Sequence, residues 1–215
     1  VTENKESLPD EVQALLDYRG GLEQYRRDDT WRDSCVVHFE FNLRRMVTMA
    51  EQAGIPVILV NPVSNLKDSP PFKMAHRDDI SQEDEQSCAQ LWSAARDAAT
   101  ELEDRVALLQ LALDIDDRHA GLHFQLGKCY HGMKIYPEAK AAFVRAKDED
   151  ICPLRAVEAL HEAIFLVAKD TSATLVDARS LFEELTADGS PGDEWLVDHV
   201  HPSIQGHQRV ADLLF

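Results

Sequence analysis

The sequence predicts an α/β fold that is mostly helical: a partial parallel sheet flanked by helices and interrupted by an all-helical insertion. Three observations predict it. Val57-Ile58-Leu59-Val60 and Thr174-Leu175-Val176-Asp177 have the length of short buried parallel strands. Each adjoins an amphipathic helical pattern, as half of a βαβ unit does. Between them, from 81 to about 147, helix follows helix with short joints. The implied division assigns 1–80 and 151–215 to the α/β portion and 81–150 to the insertion.

Residues 1–30 are polar, with one short helix expected at 10–18 and broken at Gly20-Gly21. The next helix is expected at about 34–52, where Val36, Phe39, Leu43, Met46 and Ala50 recur at spacings of three and four. Gly54 stands where a C-terminal cap belongs, and Ile55-Pro56 turns the chain into the first strand. That strand runs into Asn61-Pro62-Val63-Ser64-Asn65, a polar loop at the carboxyl end of a parallel strand, where α/β proteins place ligands. Asn61 and Asn65 are therefore substrate-binding candidates, although a polar turn accounts for them equally well. The loop continues through Pro70-Pro71 to about residue 80, long for a connection.

The helical block opens on an acidic stretch, nine carboxylates over 78–104, which reads as a solvated helix face. Helices are expected at about 85–100 and 104–115. From Ala120 the order His123, Leu126-Gly127, Tyr130, Tyr136, Ala139, Phe143, Ala146 describes a helix pair. Gly127 and the alanines let the two helices approach closely, while Tyr130 and Phe143 fill the gap between them. Leu109 and Ala112 stand 34 residues before Phe143 and Ala146, which marks a repeat. After the block, Cys152-Pro153 is expected to start a helix running to about 168. Arg155 then sits at a helix start, where its charge opposes the dipole. It is a candidate for an anionic group, with a salt bridge to the acidic surroundings as the alternative. A strand at 174–177, a helix at 178–185 and a Gly- and Pro-containing loop at 188–195 follow. Ser203 caps a last helix from Ile204 onward.

Composition narrows the function. The 215 residues are 44% hydrophobic, enough for a core. They carry 22 basic against 39 acidic residues, a net charge of −17. Phosphate and anionic-lipid binding need clustered Lys and Arg, so the charge argues against nucleic acid and anionic membrane surfaces as partners. No run approaches the apolar length of a membrane span. Cys35, Cys88, Cys129 and Cys152 form no C-x-x-C pair, so they are expected as buried or half-buried free thiols. The chain opens at Val1 without Met and closes at Leu213-Leu214-Phe215 in an apolar helical pattern, so both ends are expected to be cut points of a longer polypeptide.

The segment Asp198-His199-Val200-His201-Pro202-Ser203-Ile204-Gln205-Gly206-His207 carries the chemistry. With three residues of separation, a tight turn brings the Asp198 carboxylate to Nδ1 of His201. That fixes the tautomer and leaves Nε2 free to take a proton from a nucleophile. Gly206 permits close packing of the final helix on this turn. The alternative is a capping Asp beside a packed His. A metal site is disfavoured, because His199 and His201 alternate on an extended segment and face opposite sides. His76 and His161 read as surface or packed residues.

The stretch 120–146 resembles a tetratricopeptide repeat, with His123 in place of the usual Trp and with Lys147 and Ile151 where the Leu and Pro that follow are expected. Asp-x-x-His-Pro with a Gly-His pair and an apolar helix resembles the last block of the SGNH (GDSL-type) serine hydrolases. The stretch 53–62 and the strand at 174–177 resemble that fold's last two strand units, with the repeat helices inserted between them. The resemblance implies that His201 acts as general base and then general acid, and that Asp198 orients it. It implies a small acyl or acetyl ester as substrate, with no cofactor and no metal. The family's Gly-Asp-Ser nucleophile block and its oxyanion Gly and Asn have no counterpart here. Asp33-Ser34 lacks the Gly and opens a helix, and Gly189-Ser190 lies in a late loop. Those blocks are expected upstream of Val1, which would make this chain the C-terminal part of the hydrolase. The alternative function is a tetratricopeptide-type interaction module without catalysis, taking a basic peptide or protein partner on its acidic helices. An incomplete sheet leaves open edges, so a homodimer or a partner segment is expected to cover one; light scattering on a chromatographed sample checks this.

Overall fold

A computed structural model describes residues 22, 25–97 and 101–215. The short helix expected at 10–18 lies outside the described residues. Among these residues the molecule is mostly helical, with eight helices and a small two-strand parallel sheet packed against them.

Helix α1 (Asp29–Gln52) begins five residues earlier than the hydrophobic periodicity indicates. Its start is set by a cap that periodicity cannot show: the Asp28 carboxylate accepts from Trp31 N at 2.8 Å. Its end is the one expected. Gly54 has φ +71°, Gly54 N donates to Glu51 O and Ile55 N donates to Ala50 O, the paired bonds of a Schellman cap. Strand β1 (Ile58–Asn61) lies one residue later than expected and pairs in parallel with β2 (Thr174–Asp177). The register runs from Ile58↔Thr174 to Asn61↔Asp177, so Asn61 and Asp177 share the carboxyl end of the sheet. Leu59 points into a core with Val47 of α1 and with Ile164, Val167 and Ala173.

The insertion consists of α2 (Gln82–Ala95), α3 (Leu102–Ile115), α4 (Ala120–Gly132) and α5 (Tyr136–Asp148), each packed on the next. Cys88, Leu109, Ala112, Leu122 and Leu126 form its main core. At Gly127 a Cβ would lie 2.6 Å from the Phe143 ring, the close approach that the sequence pattern requires. The long loop after β1 does not hang free. Leu66 joins Phe124, Ala139 and Phe143 in a second core. Lys128 donates to the Lys67 carbonyl, and His76 Nδ1 lies 2.6 Å from the buried Asp116 carboxylate. The loop is thereby laid along α4.

Helix α6 (Glu158–Asp170) starts later than Cys152-Pro153, correcting the expected boundary. The lead-in spends its polar groups on tertiary bonds. Cys152 N binds the Asp150 carboxylate, which also accepts from Phe72 N and Lys73 N, and the Ala156 carbonyl accepts from Lys147. Arg155 is thus not at a helix start but three residues before one. Helices α7 (Ala178–Leu185) and α8 (Ile204–Leu214) complete the fold. A chain of ion pairs fastens α5 to α6 and α7: Lys147 to Glu158 at 2.8 Å, Glu158 to Arg179 at 2.9 Å, Arg179 to Glu183 at 2.9 Å, and Glu183 to Lys140 at 2.7 Å. Burial alone would raise the Glu158 pKa, but the bonds from Arg179 and Lys147 hold it down at about 2. Among the described residues no helix is long and apolar enough to cross a membrane.

Candidate acid–base site

The loop between α7 and α8 folds back on itself at its far end. Val197 N donates to the His201 carbonyl at 2.9 Å, Leu196 and Pro202 form an antiparallel bridge, and Ser203 N donates to the Trp195 carbonyl at 2.7 Å. Ser203 then caps α8 through its hydroxyl, which accepts from Gly206 N. A Cβ at Gly206 would meet the Trp195 carbonyl at 2.7 Å, so the helix sits directly against the turn.

Inside the turn Asp198 Oδ1 accepts from Val200 N at 2.8 Å and His201 N at 2.7 Å, while Oδ2 lies 2.7 Å from His201 Nδ1. The two backbone N–H groups, and then the His201 ring, hold the Asp198 carboxyl well below the usual carboxylate range. An ionised carboxylate can only accept, so the imidazole proton sits on Nδ1 and the Nε2 lone pair is free. The His201 side chain is 70% exposed, which leaves Nε2 open to an approaching group. His199 turns the other way, its ring edge-on to Phe72 at 5.0 Å and 6.5 Å from the His201 ring. Among the described residues no three His, Cys, Asp or Glu side chains are grouped to hold a metal ion. None of the serine hydroxyls among these residues bonds to the His201 ring: Ser34 donates to the Thr30 carbonyl, and Ser190 is buried.

The other three sequence candidates are buried. Asn65 is buried and ties three segments together. Its N–H donates to the His199 carbonyl at 3.0 Å. Its side-chain Nδ2 donates to Asp193 Oδ1 at 2.8 Å and reaches the Asp198 carbonyl at 3.4 Å. Its Oδ1 accepts from Asp68 N, and its carbonyl accepts from Arg155 Nη1 at 2.8 Å. Arg155, equally buried, also binds the Ser69 carbonyl and stands 4.0 Å from the Asp150 carboxylate. Its charge therefore meets the salt-bridge alternative and holds the loop after β1. Asn61 donates to Asp177 Oδ1 at 2.7 Å and accepts from His161 Nδ1 at 2.5 Å. Burial, with Lys147 and Arg179 nearby, pushes His161 down to about 4, so at neutral pH it is an uncharged donor. Asn61 and Arg155 thus act within the protein interior, and Asn65 alone of the three touches the Asp198–His201 turn.

Sequence reasoning missed two members of this framework. Asp193, the strongest partner of the Asn65 amide, carries no local signal in a chain so rich in acidic residues. Lys147 did carry one. It stands where the tetratricopeptide resemblance expects an apolar residue, and its charge is buried and bonded across to the start of α6. Compared with protein-family models, curated proteins and solved structures, the chain matches none of them.

Proposed function

We propose that this chain supplies the acid–base pair of an SGNH-like ester hydrolase. In this reading His201 Nε2 takes the proton of an attacking serine hydroxyl and returns it to the leaving alkoxide. Asp198 holds the ring in that tautomer and stabilises the imidazolium formed between the two steps. The nucleophile and the oxyanion donors come from polypeptide outside these 215 residues, and a small acyl or acetyl ester is the substrate. The observation that carries the reading is the 2.7 Å contact between Asp198 Oδ2 and His201 Nδ1, with the second oxygen held by two backbone N–H groups and Nε2 facing solvent. The test is p-nitrophenyl acetate hydrolysis by the longer polypeptide that this reading requires. His201→Ala is expected to lower kcat/KM by roughly 10³-fold or more. Equal rates for variant and parent reject the reading.

A second reading keeps the helical block as a docking surface for a basic peptide or protein and gives the turn no catalytic part. Its support is the acidic stretch on α2 and α3, while α4 is already covered by the loop after β1 through Leu66 and Lys67. Titration of the chain with a Lys-rich peptide that yields no binding heat removes this reading.

A further inference from the structure

Asn65 makes the hydrogen bonds by which the loop after β1 meets the turn that carries Asp198 and His201, beside the ring contact of Phe72 with His199. Both termini of its amide are used. Nδ2 donates to the Asp193 carboxylate and to the Asp198 carbonyl, Oδ1 accepts from Asp68 N, and its main-chain N–H holds the His199 carbonyl. Two of these bonds fall on Asp198 and His199, the first two residues of the Asp198-to-His201 turn. The turn is otherwise closed by its own strand-like pairing, Val197 N to the His201 carbonyl and Leu196 to Pro202, and by Phe72 against His199, so Asn65 is the side chain that hydrogen-bonds its Asp198 carbonyl from the neighbouring loop. Arg155 holds Asn65 from behind through its carbonyl, and Leu66 N, one residue on, donates to the Pro191 carbonyl at 2.8 Å. The arrangement is a clip, with Arg155 as its anchor and Asn65 as its jaw.

We infer that Asn65 is a positioning residue for the acid–base pair: it fixes the backbone of the Asp198 turn so that the carboxylate meets His201 Nδ1. It touches neither the imidazole nor any reacting atom, and its effect passes through the Asp198 and His199 carbonyls. The inference rests on the acid–base reading of Asp198 and His201 but not on the presence of a nucleophile. It can therefore be read in this chain directly, from the ring tautomer.

The experiment follows the imidazole nitrogen chemical shifts of the chain at neutral pH, with the His201 signals identified by their loss in His201→Gln. The wild type is expected to show His201 with its proton on Nδ1, and Asp198→Asn to abolish that state. Asn65→Ala is expected to lose the Nδ1–H majority as well, while the His161 signals, from a ring bonded to Asn61 in the interior, stay unchanged. A merely structural defect would move His161 together with His201. If Asn65→Ala leaves the His201 tautomer intact, the inference is overturned and the acid–base reading stands. If the wild-type ring shows no Asp198-dependent tautomer, both fall together. Should Asn65→Ala fail to fold, Asp193→Ala decides the matter, since Asp193 is exposed and its loss removes the shortest bond of the Asn65 amide. A reduced Nδ1–H population then supports the inference, and an unchanged spectrum overturns it.

Discussion

Asp198 uses its two oxygens for different tasks within a single turn. Oδ1 closes the turn by accepting two main-chain N–H groups, and Oδ2 is left to meet the imidazole. The geometry is thus local: two intervening residues suffice to build the pair, and Pro202 stiffens its exit. An Asn at 198 could keep the Oδ1 contacts but would present an N–H to the ring, which favours the wrong tautomer. On the proposed acid–base reading, Asp198→Asn is expected to preserve the fold and to lower ester hydrolysis, in the longer polypeptide which that reading requires, by roughly 10⁴-fold, checked by initial rates beside circular dichroism. The neighbouring histidine comes no nearer to the carboxylate than 3.9 Å, between its Nδ1 and Asp198 Oδ1. His199 packs on Phe72 and lends its carbonyl to Asn65, so its replacement tests packing rather than chemistry.

At the scale of elements, close approach matters more than propensity. α4 and α5 meet where Gly127 faces Phe143, with the small Ala139, Ala142 and Ala146 along the same seam. A methyl group at 127 would have to displace a buried aromatic ring. Gly127→Ala is therefore expected to lower stability by about 1–3 kcal/mol even though Ala favours the helix, measurable as a drop in the urea midpoint. The consequence would not stay in the helical block. Phe143 and Phe124 share their core with Leu66, the residue next to Asn65, so loosening this seam loosens the floor of the Asp198 turn.

For the molecule as a whole, the joint between the helical block and the α/β portion is polar as well as apolar, and this makes it sensitive to acid. His119 and His161 are buried, and burial pushes both down to about 4 from an ordinary value of 6.5. Between those values the unfolded chain binds protons that the folded chain refuses, so stability is full above pH 6.5 and falls as the pH drops towards 4. The two groups together are worth several kcal/mol, roughly 3 kcal/mol each by the linkage relation. Below about pH 4.5 Glu158, held near 2 by Arg179 and Lys147, adds a further loss in the same direction. Melting temperatures are expected to decline steadily from pH 7 to pH 4. A flat profile would mean that the two histidines are not buried as described.

Much of this architecture was legible because it depends on neighbours in sequence. The Gly54 cap, the strand at 174–177, the helix at 178–185, the Ser203 cap and the Asp198–His201 turn all follow from residues within one or two helical turns of each other, and the Gly127 approach from a residue on the very next helix. What only the tertiary structure decided depends on partners far along the chain. From its neighbours Arg155 is a helix-start charge open to an anionic group or to a salt bridge, and in the fold it anchors a loop 86 to 90 residues away. Asn61 and Asn65 carry the same signal in the sequence, yet one is bound by His161 and Asp177 while the other bonds to the turn, because β1 pairs with β2 and the loop then runs along α4. Side-chain type and spacing determine which local bonds are available. Which buried polar group must meet which other is decided only when distant segments come together and leave water behind, since each must then find a partner within the protein.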